Sequence, residues 1–202
     1  HLKGNFAPIR MESNIDDVII EGEIPKEING TYYRNGPDPK FSPRGGNSHW
    51  FGGDGMIHAF HIKDGKVSYL NRWMKTVKWL KEHEEQKALW SSGMDVMNND
   101  PSVSNIETDG LANTAIVSHA GKIFALEEAH APFEFNPMTL DSIGSHTFDN
   151  KLEGPVTAHP KVDPITGELL FFAYMADGFF TDTIRFTAVS KEGQITKSEK
   201  IK

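Results

Sequence analysis

The chain has 202 residues, a formal net charge of -7 at pH 7 and a sequence pI near 5.7. This length suits one domain with a sizeable core, or part of a larger domain. No lysine- or arginine-rich cluster is present, which argues against a nucleic-acid partner because phosphate binding needs a basic surface. The absence of cysteine excludes disulfides, iron–sulfur clusters and thiol nucleophiles. Any metal must therefore be held by histidine or carboxylate ligands.

Neither a targeting segment nor a membrane span is visible in the sequence. The first residues lack a basic segment followed by an apolar one, as a signal peptide would have. The longest apolar run, residues 169–176, is far shorter than the roughly 20 residues of a membrane-spanning helix. The sequence therefore predicts a soluble, cytoplasmic protein.

The first part of the chain is rich in short runs of β-branched and aromatic residues. Strands are predicted over residues 17–21, 30–34, 56–63 and 67–74. Asp64-Gly65 between the last two is typical of a tight hairpin turn. The glycine-rich residues 52–55 are interpreted as a turn and not as a phosphate-binding loop, because no helix start with Lys-Ser/Thr follows.

Residues 77–110 interrupt the strand pattern. Apolar residues at helical spacing predict a short helix over residues 77–90, and the polar residues 91–110 predict a long loop. The large apolar side chains of the predicted helix are Trp79, Leu80, Leu89 and Trp90. They either pack beneath a cap or form a surface for peripheral membrane contact, and the glutamates between them favour packing.

Strands return in the second part at short intervals, separated by glycine turns. They are predicted over residues 114–118, 122–127, 140–147, 169–175, 183–190 and 195–202. Such a pattern is typical of a sandwich, a barrel or a propeller, and recurring turns at residues 119–122, 163–168 and 191–194 favour the propeller. The last strand pattern runs to the final residue, so we expect the natural chain to continue.

His159 is the candidate metal ligand of the sequence. It directly precedes Pro160, which keeps it out of the helical region and on extended backbone at a strand end. A nearly fixed imidazole direction suits a metal ligand, but a lone histidine on a strand more often has a structural role. His49, His58 and His61 are expected to be structural, because residues three apart on a strand face opposite sides.

Several motifs occur in order along nearly the whole chain. They are residues 4–9 (GNFAPI), 22–25 (GEIP), 29–37 (NGTYYRNGP), 49–59 (HWFGGDGMIHA), 71–73 (NRW), 113–114 (NT), 124–128 (FALEE) and 158–161 (AHPK), with Asp163. In number and order they resemble the carotenoid cleavage oxygenase family, the non-haem iron enzymes that split conjugated double bonds. The likeness corresponds to the N-terminal part of such an enzyme, less than half of its length.

The resemblance implies an all-β fold, namely part of a seven-bladed β-propeller with a short helical insertion, residues 77–110, that contributes to a cap. Residues 1–202 would be the N-terminal portion of a single propeller domain. Fe(II) would lie on the axis, held by four histidines. His159 matches the first of these ligands, and the other three are expected downstream of Lys202. By itself, this fragment is therefore expected to hold iron poorly and to be inactive.

Glu128 matches a family glutamate that accepts a hydrogen bond from the outer nitrogen of a ligand histidine. In the family this histidine is one of the other three ligands. We therefore expect Glu128 to lie near the axis without touching His159.

The resemblance further implies a dioxygenase that uses Fe(II) and O2 to cleave a conjugated double bond of an apolar polyene into two carbonyl products. Four neutral imidazoles leave coordination positions open for O2. Stilbene-cleaving members carry a lysine just before the glutamate, where this chain has Glu127, which favours a carotenoid or apocarotenoid substrate. The alternatives are the stilbenoid-cleaving branch, the isomerohydrolase branch, and a non-catalytic propeller scaffold in which His159 is structural.

Overall fold

The computed structural model describes residues 2–45, 49–91, 98–103, 109–178 and 180–201. Within these ranges the chain forms three four-stranded antiparallel sheets that follow one another along the sequence. The first contains β1 (Ser13–Ile15), β2 (Gly30–Pro37), β3 (Gly55–Lys63) and β4 (Lys66–Trp73), in the order β1-β4-β3-β2. The mostly β character predicted from the sequence is confirmed. Seven blades and a cap stay predictions.

The second and third sheets are simple meanders in which each strand pairs with the next. The second contains β5 (Ala115–His119), β6 (Lys122–Leu126), β7 (Phe133–Phe135) and β8 (Ser142–Ser145). The third contains β9 (Lys161–Val162), β10 (Leu169–Ala173), β11 (Ile184–Val189) and β12 (Ile195–Ile201). Strand β7 was not predicted, because three residues are too few to show an alternating pattern.

The hairpin between β3 and β4 has the geometry that Asp64-Gly65 predicts. Both residues have positive φ, 51° and 74°, as a type I′ turn requires. The flanking residues Lys63 and Lys66 pair directly. Of the predicted turn over residues 52–55, residues 52–54 lie outside any helix or strand, between β2 and β3, and Gly55 is the first residue of β3.

The strand predicted over residues 17–21 is wrong. The strand that pairs with β4 is β1, and after it the chain makes a further hydrogen bond of 2.9 Å from Val18 N to Val67 O. Ile19 is 93% exposed. A run of β-branched residues favours a strand only where a partner edge is present, and β1 already pairs with the edge of β4.

The predicted helix is present but shorter, spanning α1 (Val77–Glu85). The Thr76 hydroxyl caps its start by accepting from Trp79 N, and Gln86 ends it in the left-handed conformation, with φ 53°. Beyond the end, the N–H groups of Leu89 and Trp90 donate to Oε1 of Glu82 at 2.9 and 3.0 Å, which directs these side chains inward without a helix.

The apolar side chains of this region are mostly buried. Trp79, Leu89 and Trp90 are inside, and Leu80 is half exposed, which agrees with packing more than with a membrane surface. In the part of the chain that the structure describes, no helix is long and apolar enough to cross a membrane. Most of the predicted loop over 91–110, namely residues 92–97 and 104–108, lies outside the described residues.

The second sheet packs between the other two. Ile123 and Ala125 on β6 face Ile57 and Ala59 of the first sheet. Phe124 and Leu126 point the other way, to Ala158 beside the third sheet. Successive residues of a strand face opposite sides, so β6 is buried on both faces. The third sheet adds its own cluster around Phe171. This packing brings the end of β6 next to the start of β9.

Candidate functional site

His159 is placed by its two preceding neighbours. Thr157 and Ala158 are almost fully buried, and Thr157 N donates to Phe172 O of β10 at 3.2 Å. Ala158 packs against Leu126 of the second sheet. The next side chain, His159, points outward and is 65% exposed. It lies two residues before β9, at a strand end, as the sequence predicts.

Glu128 lies directly against His159. It follows the end of β6, and its Oε1 is 3.3 Å from Nε2 of His159. The expectation that Glu128 would not touch His159 is therefore wrong. The reason is the buried Thr157, whose hydroxyl donates to Oε2 of Glu128 at 3.2 Å and holds the carboxylate at this edge. That His159 is a metal ligand and that Glu128 orients one stays a prediction.

Two members of this cluster, Thr157 and Tyr174, were missed at the sequence level. The Thr157 hydroxyl also accepts the backbone N–H of His159 at 3.3 Å, so one side chain positions both candidate residues. Tyr174 follows β10 and its OH donates to Oε2 of Glu128 at 3.4 Å. Burial raises the pKa of Tyr174, and the Glu128 and Glu127 carboxylates raise it further. No local motif marks either residue, because the contacts span 29 and 46 residues.

Glu127 pairs with His130. Its Oε1 contacts Nδ1 of His130 and accepts the backbone N–H of Ala129 at 3.3 Å. Gly110 makes room for the pair, since a Cβ at that position would lie 2.8 Å from both the Glu127 carboxylate and the His130 ring. The two adjacent carboxylates therefore contact different histidines, Glu127 contacting His130 and Glu128 contacting His159.

The histidines of β3 have structural partners, as expected. Nδ1 of His58 lies 2.7 Å from the Tyr69 hydroxyl, and Nδ1 of His61 lies 2.7 Å from the Thr31 hydroxyl. The two rings lie on opposite faces of the strand. His58 is buried, and burial together with the Arg34 guanidinium lowers its pKa.

The His159 imidazole and the Glu128 carboxylate beside it have the chemistry to form part of an Fe(II) site. Imidazole is a ligand suited to Fe(II), and a carboxylate beside a ligand histidine is the usual arrangement for fixing its ring. The exposed ring of His159 is accessible to an ion. Among the described residues, no group of three or more His, Cys, Asp or Glu side chains is arranged to hold a metal. These residues thus offer one imidazole donor with its carboxylate.

Comparison with known proteins shows which family the chain resembles. The sequence profile of the retinal pigment epithelial membrane protein family matches residues 6–202. The chain is 41% identical over 197 residues to the isoeugenol monooxygenase of Pseudomonas nitroreducens, covering 96% of this chain and 41% of the relative. It is 37% identical over 210 residues to a carotenoid 9,10(9',10')-cleavage dioxygenase of Pisum sativum, covering 95% of this chain and 38% of the relative.

Among solved structures, the fold resembles the lignostilbene dioxygenase of Pseudomonas brassicacearum with a TM-score of 0.91 and 35% identity. That match covers 96% of this chain and 40% of the other. The chain thus spans about two fifths of the length of the relatives it matches. Its profile match over residues 6–202 shows that it belongs to the retinal pigment epithelial membrane protein family, the family of the carotenoid and stilbene cleavage oxygenases.

Proposed function

We propose that this chain is part of a non-haem Fe(II) dioxygenase that cleaves a conjugated carbon–carbon double bond into two carbonyl products. The observation that supports the proposal is the cluster of His159, Glu128, Thr157 and Tyr174, which meets at the ends of β6, β9 and β10 in a chain of this family. The relatives named above are oxygenases with alkene-bearing substrates.

In this proposal His159 supplies one imidazole to the iron, and three further histidines come from the rest of the protein. Fe(II), when bound, provides the activation of O2. Thr157 holds the backbone of His159 and the carboxylate of Glu128 in register, so the ring is oriented before an ion arrives. The small, buried Ala158 fixes the chain against the second sheet and leaves His159 facing outward.

Two substrate classes have support. The presence of Glu127 in place of a lysine favours a carotenoid or apocarotenoid, as the sequence suggests. The 41% identity to an isoeugenol monooxygenase favours a smaller aryl alkene. The polar Glu127–His130 pair close to the cluster also supports this second class, the smaller aryl alkenes.

Metal analysis tests the proposal most directly. The protein at its natural length is compared with His159→Ala and with His58→Ala, a histidine outside the cluster. We expect near-stoichiometric iron in the parent and in His58→Ala, and a sharp loss in His159→Ala. The parent is then assayed with carotenoids, apocarotenals, stilbenes and isoeugenol, with product analysis for carbonyl compounds.

The same experiment separates the alternatives. A protein that never holds iron supports the non-catalytic scaffold. An iron-loaded protein that leaves all these substrates intact contradicts cleavage, and isomerised or hydrolysed products without carbonyl fragments indicate the isomerohydrolase branch.

A further inference from the structure

The dipeptide Asn-Gly occurs twice in the chain, as Asn29-Gly30 and as Asn35-Gly36. An asparagine side chain before glycine can be attacked by the backbone nitrogen of that glycine, because glycine has no Cβ to hinder the approach. The reaction needs water around the amide and a local backbone that is free to move. Both dipeptides involve strand β2, so one strand holds the same chemical group in two environments.

The second dipeptide, Asn35-Gly36, lies within β2. Both residues pair with β3, and Gly36 is buried. The Asn35 amide donates through Nδ2 to Ala112 O at 2.9 Å and to Ala115 O at 3.2 Å, and its Oδ1 is buried from water. The side chain is thus held against the start of the second sheet. It can turn toward Gly36 N only if the contact between the two sheets opens.

The first dipeptide, Asn29-Gly30, lies at the exposed start of the same strand. Asn29 precedes β2, Gly30 is its first residue, and both are exposed. A Cβ at Gly30 would find no atom within 4 Å, so its surroundings are open. Two exposed hydrogen bonds hold the Asn29 amide, from Nδ2 to Lys26 O and from Asp64 N to Oδ1, each at 3.0 Å. Water can replace such bonds at little cost in free energy.

The hydrogen bond from Asp64 N also favours attack on the Asn29 amide. A donor on Oδ1 draws electron density from Cγ and stabilises the negative charge that develops on the oxygen when a nucleophile adds. Among the described residues, no donor reaches Oδ1 of Asn35. Exposure and activation therefore both distinguish Asn29 from Asn35.

We propose that Asn29 is a site of spontaneous deamidation and that the fold protects Asn35 from the same reaction. The Gly30 nitrogen gives up its proton to water and bonds to Cγ of Asn29. The bond from Cγ to Nδ2 breaks, and Nδ2 takes up a proton and leaves as ammonia. Water then opens the resulting cyclic imide at either carbonyl carbon, which gives aspartate or isoaspartate. The net change converts one amide and one water into one carboxylic acid and one ammonia.

The modification acts on one corner of the first sheet. Either product adds a negative charge close to Asp64, in the turn between β3 and β4. Isoaspartate also lengthens the main chain by one atom directly before β2, where Gly30 pairs with Ile62. The cluster around His159 lies elsewhere, where the second and third sheets meet. The proposal is therefore independent of the iron site and of the proposed function.

The test is peptide mapping by mass spectrometry after the protein at its natural length has been kept in mildly alkaline buffer. Chromatography separates the aspartate and isoaspartate peptides. We expect both products at position 29, formed about 10-fold or more faster than at position 35, since reaction at Asn35 requires the loss of its two hydrogen bonds to the second sheet and local opening. Asn29→Gln would have to close a larger, less favourable ring. It should remove the products at position 29 and leave position 35 unchanged.

The unfolded chain is the matched control. In urea both dipeptides are exposed and free to move, so they should deamidate at similar rates. Rates that are equal or reversed in the folded protein would overturn the proposal. So would an Asn29 that stays unmodified in the folded protein for as long as it takes to convert it in urea.

Discussion

The Thr157 hydroxyl donates to Oε2 of Glu128 at 3.2 Å, across the boundary between the third and second sheets. The same oxygen accepts the N–H of His159. A single buried hydroxyl thus positions a carboxylate and the backbone of a candidate ligand.

Replacing Thr157 by valine should weaken metal binding without unfolding the protein. Valine has nearly the same shape but leaves Glu128 without one donor and the His159 N–H without its acceptor. Changes to such supporting partners commonly lower metal affinity by about 10- to 100-fold. Competition with a chelator measures the effect in the protein at its natural length.

Thr157→Ser retains the hydroxyl and should bind metal like the parent. Thr187→Val, at an equally buried threonine of β11, serves as the control for a buried methyl-for-hydroxyl change. An unchanged affinity in Thr157→Val would show that the hydroxyl does not position the site.

Lys78→Met should strongly destabilise the fold. The Lys78 ammonium lies 2.8 Å from Oδ1 of Asp54 and 2.7 Å from Oε2 of Glu82, and all three side chains are nearly buried. Burial alone lowers the pKa of Lys78, but the two carboxylates outweigh it and raise the pKa. Removing the cation leaves two buried carboxylates without a counter-charge, which should cost about 3–5 kcal/mol. Urea unfolding measures the loss.

The exposed pair Lys197–Glu199 provides the control, because both side chains are more than half exposed. Lys197→Met should change the free energy of unfolding by no more than about 0.5 kcal/mol. A similar small effect of Lys78→Met would contradict a structural role for the buried cluster.

Acid should destabilise the protein in part through His58 and His146. For His58, burial and the Arg34 guanidinium lower the pKa, and Asp38 opposes them. For His146, burial and the Lys122 ammonium lower the pKa, and Glu134 opposes them. A histidine whose folded pKa is depressed contributes stability above its unfolded pKa, about 6.5, and this is lost as the pH falls through the folded pKa.

Glutamine at either position does not titrate, so each variant should lose less stability than the parent between about pH 7 and pH 5. Urea unfolding across this range measures the slope. A slope as steep as that of the parent in both variants would show that other groups cause the acid sensitivity.

Gly55→Ala should destabilise the chain, because a Cβ there would lie 2.2 Å from Ala112 O. The backbone of Gly55 cannot easily move away, because two hydrogen bonds hold it. Gly55 N donates to Leu111 O, and Gly55 O accepts from Met74 N, each at 2.8 Å. We expect a loss of about 1–3 kcal/mol, as for other overpacked sites. Thermal unfolding is the measurement.

Gly36→Ala is the matched control on the neighbouring strand β2. The nearest atom to its Cβ would be Nη2 of Arg34 at 3.6 Å, an ordinary contact with a flexible side chain. This variant should unfold close to the parent temperature. If both alanine variants behave alike, the close approach at Gly55 is not what constrains that position.

Much of the local structure was predictable because it depends on neighbouring residues. Asp64-Gly65 predicts the hairpin, and the spacing of β-branched residues predicts most strands of the three sheets. The strand over residues 17–21 failed because strand formation needs a partner edge, which β-branched residues alone do not supply. The predicted helix was too long because Leu89 and Trp90 are buried although they lie beyond its end. Hydrogen bonds from their backbone N–H groups to Glu82 hold them there.

The candidate site shows the same division. The sequence alone determined that His159 lies on extended backbone at a strand end, since Pro160 restricts its neighbour, and the ordered motifs determined the family. The tertiary structure alone decided that Glu128 touches His159, that Thr157 and Tyr174 hold Glu128, and that Glu127 pairs with His130. Most of these contacts join residues 29 to 46 positions apart, so they exist only because the second and third sheets pack face to face.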